Sequence, residues 1–127
     1  MGMAYVSFEM GANSVVPLHY HPRGSELHLV LQGSVTVGIV DSTNKLFIQT
    51  LQAADMFVFP KGMVYFQINE DTYKPALAMS ALSSSNPGIV MLPPTLFHSG
   101  IDDLVLQNSF KITPQSLAQL KAPFNKD

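Results

Sequence analysis

Two histidines, His19 and His21, stand two residues apart, and Glu26 follows five residues after the second. On a β-strand, residues i and i+2 face the same side. Both imidazoles are therefore expected to reach one point. The turn Pro22-Arg23-Gly24-Ser25 reverses the chain, so that antiparallel neighbours bring the Glu26 carboxylate beside the pair. Two imidazoles and one carboxylate make a three-ligand set with open positions. Such a set suits divalent first-row metals, and it is like the facial arrangement that leaves iron open for oxygen chemistry. A lone strand histidine is commonly just packed or exposed, but two at alternate positions with a carboxylate close behind are less easily dismissed.

The elements that must hold these residues read as short strands between turns, the pattern of a sandwich or barrel. Ala4–Met10, Val15–Tyr20, Glu26–Leu31, Val35–Val40, Lys45–Leu51, Met56–Phe59, Val64–Ile68 and Pro75–Leu82 are the expected strands. Gln32-Gly33-Ser34 is expected to close a hairpin. Met56–Phe59 is nearly all apolar and is expected to be buried on both faces. Pro93–Gly100, with His98, reads as a loop in which that histidine is structural or exposed. Two short helices are expected beyond it. One starts after Asp102 and runs through Phe110, and one has Thr113 as its N-cap and Pro114 at its first position. They are too brief to be stable alone, so their apolar faces are expected to dock on the barrel or on a neighbouring subunit.

The chain has 127 residues, the size of one domain. Hydrophobic residues make up 46% and charged residues 13%. The second figure is well below the roughly 25% of average soluble domains. Exposed apolar area commonly marks an interface, which points to burial against other subunits. The net charge of −2 comes with no stripe of Lys or Arg, which argues against nucleic acid and anionic membrane surfaces as partners. No apolar run reaches a membrane span. The start Met1-Gly2-Met3-Ala4-Tyr5 shows no signal peptide. With no cysteine in the chain, disulfides and thiolate chemistry are excluded.

His19-Tyr20-His21-Pro22-Arg23-Gly24-Ser25-Glu26, with Gly11 ahead and Gly33 behind, resembles the first cupin motif in its germin form. Phe57 through Gln67 resembles the second motif. Lys45-Leu46-Phe47, Asn86-Pro87-Gly88 and Val105 through Lys111 are also germin-like. The resemblance covers roughly residues 5–124. It implies an all-β fold, a cupin double-sheet jelly-roll β-barrel with short C-terminal helices. The whole chain, 1–127, would be one cupin domain, with the barrel over about 3–93 and the helical region over about 101–124. It further implies manganese or another divalent metal, held by His19, His21 and Glu26. Homo-oligomers, typically trimers of dimers, the extracellular apoplast, and oxalate oxidation or superoxide dismutation are implied as well.

Three departures bear on that expectation. Tyr65 stands where the family's second motif supplies a third histidine. A phenol, with a pKa of about 10, is a poor ligand for Mn(II), so Tyr65 either coordinates with a lowered pKa or fills the barrel as a hydrogen-bonding side chain. Val16 stands where the family often has an asparagine that contacts substrate in oxalate oxidases. The N-terminal segment of germins, with its signal peptide and disulfide, has no counterpart, as in a fragment or a shortened member. His28, two residues after Glu26, shares its strand face. It could join the metal, act as a general base deeper in the barrel, or pack against Tyr65. Lined by His28, Tyr65 and Glu26 with the histidine pair, the barrel could also run metal-independent acid–base chemistry on a small molecule, as a cyclase, isomerase or lyase. A non-catalytic binding or storage role is a third alternative.

Overall fold

The computed structural model describes residues 2–125. The ends of the expected domain, residue 1 and residues 126–127, lie outside the described residues. The chain forms two compact units, one reaching to Val90 and one starting at Met91.

The first unit is built from two antiparallel sheets. In one, β1 (Ala4–Met10), β8 (Ala76–Leu82), β3 (Glu26–Gln32) and β6 (Met56–Phe59) lie in that order. In the other, the order is β5 (Leu46–Gln52), β4 (Ser34–Val40), β7 (Val64–Asn69), β2 (Ser14–Tyr20) and the short β9 (Val90–Met91). Alternation drives both sheets. In β7 every second residue, Tyr65, Gln67 and Asn69, is buried, and in β8 Ala76, Ala78, Ser80 and Leu82 are. The core between the sheets gathers Met10, Val30, Val35, Val37, Leu51, Phe59 and Tyr65. This is the double-sheet jelly roll that the alternating pattern and the motifs led us to expect.

Three sequence expectations change. The β2–β3 and β3–β4 turns do not join neighbours in one sheet, because β2 and β4 belong to the five-stranded sheet and β3 to the other. Both turns cross the barrel instead. Gly33, between β3 and β4, has φ +82°, and a Cβ there would stand 2.9 Å from the Pro75 carbonyl oxygen. Only glycine takes that backbone path at low cost. Second, β6 is buried on one face only. It is the edge of its sheet, Phe59 points inward at 1% exposure, and Met56 and Val58 lie outward at 61% and 56%. Apolar residues on the outer face, not double burial, explain its composition.

The third change is in the second unit, where Leu92–Phe97 forms a short helix, α1, in place of part of the expected loop. Pro93 sits in its first turn, where a proline's missing N–H breaks no helical bond. His98 caps its C-terminal end and is exposed. Helices α2 (Asp103–Phe110) and α3 (Pro114–Lys121) begin where their capping residues predict. Asp102 accepts from the Leu104 N–H, and Thr113 accepts from the Ser116 N–H. Lys121 Nζ meets Asp103 Oδ1 at 2.7 Å, and Phe97 packs against Phe110 and Phe124. Leu106 and Leu117 are buried, while Leu104, Val105 and Leu120 stay exposed. Among the described residues no helix is long and apolar enough to cross a membrane.

Candidate metal centre

The two histidines come from β2 and the loop after it, and the carboxylate comes from the start of β3. They face each other across the barrel, since their strands lie in different sheets. The register of β2 against β7 shifts between Val16 and His19. Such a bulge re-phases the strand. It lets Val16 share the inner side with His19 although the two are an odd three positions apart, and it brings His19 opposite Tyr65. One ligand atom from each of His19, His21 and Glu26 lies within 4.8 Å of the others. The three residues the sequence singles out for a metal are therefore together.

Each imidazole is held by its Nδ1. His19 Nδ1 lies 2.6 Å from the Pro17 carbonyl oxygen, and His21 Nδ1 bonds the Gly88 carbonyl. A carbonyl only accepts, so each Nδ1 carries a proton and Nε2 is the nitrogen left for the site. This is the tautomer a metal requires, fixed by outer hydrogen bonds. The Gly88 loop is itself tied down, because Arg23 donates from Nε to the Asn86 carbonyl at 2.7 Å and from its backbone N–H to Pro87 at 3.1 Å. Burial lowers the pKa of His19 despite the opposing bond to Pro17, which keeps that ring neutral near pH 7.

Glu26 ends two hydrogen-bond chains. The Tyr65 hydroxyl donates to Oε1 at 2.5 Å, and the Ser80 hydroxyl donates to Oε2 at 2.7 Å. His21 Nε2 stands 3.3 Å from Oε1. Since Ser80 gives its proton to Glu26, its oxygen must accept from His28 Nδ1, 3.0 Å away. His28 Nδ1 is itself 3.7 Å from Oε2, too far for a good direct bond. Burial alone would raise the Glu26 carboxyl, but His28, Tyr65 and Ser80 together outweigh it and hold the group at about 2. The carboxylate is thus ionised and ready to coordinate.

Tyr65 and His28 occupy distinct places. Tyr65 is 1% exposed and stacks on Phe59, with ring centroids 3.9 Å apart. Burial first, and then the Glu26 charge, push its phenol above the ordinary value near 10. It is a hydrogen-bond donor among the ligands. His28 is fully buried behind Glu26, with Phe8 and Phe59 around it rather than Tyr65. Its Nε2 lacks any hydrogen-bond partner among the described residues. With Nδ1 protonated, that atom is a bare lone pair, which costs less to bury here than an N–H. Ser80 is the residue that sequence reasoning missed. Its signal is a lone hydroxyl on the inward face of an otherwise apolar β8.

The depressed Glu26 pKa makes stability fall on acidification. In the metal-free protein its contribution is full above the unfolded value near 4.5 and is lost as pH drops through about 2. A shift of that size corresponds to roughly 3 kcal/mol. Urea unfolding of metal-free protein at a series of pH values should show the decline, and a flat profile from pH 5 to 2 would contradict it.

The ligand atoms border a cavity of about 460 Å³, walled by apolar residues that include Phe8, Val16 and Leu82, with Tyr5, His19, His21, Glu26 and Gln67 as its polar side chains. Residues 1–117 match a family model described as Cupin. Putative germin-like protein 9-2 of Oryza sativa subsp. japonica is 49% identical over 120 residues, which cover 94% of this chain and 56% of the relative. Germin-like protein 9-3 of the same plant is 52% identical over 106 residues, covering 84% and 49%. The chain spans about half the length of these curated relatives. Among solved structures, oxalate oxidase in complex with the substrate analogue glycolate superposes with a TM-score of 0.93 at 32% identity, over 98% of this chain and 64% of that one. Oxalate decarboxylase from Bacillus subtilis, at 21% identity and a TM-score of 0.83 over 94% of this chain and 31% of its own, shares the fold.

Proposed function

The chain belongs to the cupin family, with germin-like proteins as its curated relatives, and from that premise we propose that it holds one divalent metal ion, manganese in the first instance, at His19, His21 and Glu26. The observation that carries this reading is the pair of Nδ1 bonds to Pro17 and Gly88, which leaves both Nε2 atoms free toward an ionised carboxylate. When bound, the ion supplies redox and Lewis-acid chemistry to small molecules in the cavity. Glu26 is a ligand, Tyr65 donates a hydrogen bond to it, and His28 positions it through Ser80. The activity is oxidoreductase-like and altered from oxalate oxidation, because Val16 offers the cavity no hydrogen bond and Tyr65 no imidazole.

Metal-independent acid–base chemistry fits the same residues less well. A carboxylate held at about 2 is a weak base, and His28 is absent from the cavity lining. We extend the proposal to a homo-oligomer, the trimer of dimers of germins, in the extracellular space. The exposed apolar side chains of Leu27, Met56 and Val58 on one sheet, and of Leu46, Phe47 and Ile48 on the other, support assembly.

Elemental analysis of protein purified without chelator is expected to find about one equivalent of metal per chain. Less than about a tenth of an equivalent in folded protein would sink the metal reading.

A further inference from the structure

We infer that Ser80, oriented by His28, is a positioning residue that ties down one oxygen of Glu26 and leaves the other alone to meet the metal. The inference rests on the metal reading above and deepens it, by assigning the manner in which the carboxylate binds.

The two carboxylate oxygens have different surroundings. Oε1 stands 3.3 Å from His21 Nε2 and accepts from Tyr65. Oε2 accepts from the Ser80 hydroxyl at 2.7 Å and has His28 Nδ1 at 3.7 Å. One oxygen is thus directed at a ligand histidine. The other is directed at a serine and a histidine that are 1% and 0% exposed.

His28 decides which way the Ser80 proton points. The hydroxyl has one proton, and its oxygen has both Glu26 Oε2 and His28 Nδ1 within reach. With the His28 proton on Nε2, a bare Nδ1 would compete with the carboxylate for that hydroxyl. A buried N–H would also face no acceptor among the described residues. The unpartnered Nε2 therefore selects the Nδ1–H form. In that form His28 donates to Ser80, Ser80 donates onward, and Oε2 ends the chain.

A carboxylate can bind a cation through one oxygen or through both. Chelation through both would draw Oε2 toward the ion and leave the buried Ser80 hydroxyl without its acceptor. Binding through Oε1 alone keeps the chain intact. It also gives Glu26 a single coordination position, so more positions stay open to a small molecule than beside a chelating carboxylate.

Infrared difference spectra, protein loaded with one equivalent of manganese minus metal-free protein, test this. The gap between the antisymmetric and symmetric carboxylate stretches is wide for one-oxygen binding and narrow for chelation. The chain has three glutamates, and Glu9 and Glu70 are exposed. Isotopic labelling of the glutamate carboxyl carbons therefore isolates Glu26 among the bands that move. The wild type is expected to show the wide pair. Ser80→Ala is expected to draw the pair together as the freed oxygen joins the ion, and His28→Leu to give a mixture of both. Bound metal is measured in the same samples. A narrow pair in the wild type overturns the inference, whether or not the variants fold, and leaves the metal reading intact. So does a Ser80→Ala protein that holds metal and keeps the wide pair. A His28→Leu spectrum identical to that of the wild type removes His28 from the inference. If the wild type retains no metal, the metal reading fails, and the inference falls with it.

Discussion

Glu26→Gln will lower affinity for a divalent metal by at least ~100-fold and will cost the metal-free fold about 2 kcal/mol. Altering groups that merely support a metal ligand costs 10- to 100-fold, and here the only anionic ligand becomes a neutral amide. The stability term follows from the direction of the hydrogen bonds. Glu26 accepts from Tyr65 on one oxygen and from Ser80 on the other, and an amide can accept on only one side. If its NH2 faces Ser80, that hydroxyl must turn its proton toward His28. His28 must then carry its proton on Nε2, an atom with no partner among the described residues. If the NH2 faces Tyr65, a buried phenol loses its acceptor. Either arrangement strands one buried donor, at about 1–3 kcal/mol. Chelator competition reads the affinity and urea unfolding the stability. A variant that binds metal as well as the wild type would remove Glu26 from the ligand set.

Tyr65→His will tighten metal binding by about 10- to 100-fold, the scale on which metal-site groups act. Position 65 is already among the ligands. Its hydroxyl is 2.5 Å from Glu26 Oε1, and its ring lies 4.3 Å from that of His19 and 6.1 Å from that of His21. An imidazole there adds a neutral nitrogen donor and removes the proton that the phenol directs at Oε1. Some stability is lost with the Phe59 stack. Tyr65→Phe separates the two roles open to the phenol. If Tyr65 only donates a hydrogen bond, Phe binds metal less tightly than His and within about tenfold of the wild type. A collapse of affinity in Tyr65→Phe would instead identify the phenol oxygen as a ligand.

Much of this was legible from residue order. Alternation places strands, and in β7 and β8 it also marks the inward side chains. His19 and His21 declare themselves by their spacing, and Asp102 and Thr113 announce helix starts because a side-chain oxygen before a helix meets a free N–H. Sheet membership was not legible. A period of two tells which way a side chain points and says nothing of which strand lies beside it, so β3 was expected to pair with β2 and lies in the other sheet, although Glu26 does meet the histidines. The β2 bulge hid for the same reason, since it breaks the phase that the inference relies on. Met56 and Val58 looked like core because composition does not distinguish a barrel's inside from an apolar outer face. Ser80 was missed because one serine in a strand is unremarkable until its neighbours on the same face are seen to be apolar.

The placement of the ligands on opposite walls has a mechanical consequence. An ion bound there would be a rivet through two leaves that otherwise adhere by apolar packing. Its occupancy would then govern how readily the leaves part, and a hundredfold excess over the dissociation constant adds about 2.7 kcal/mol against opening. Loading and barrel breathing would rise and fall together. The slowest-exchanging backbone amides of β3 and β7 would report whether the clasp is closed.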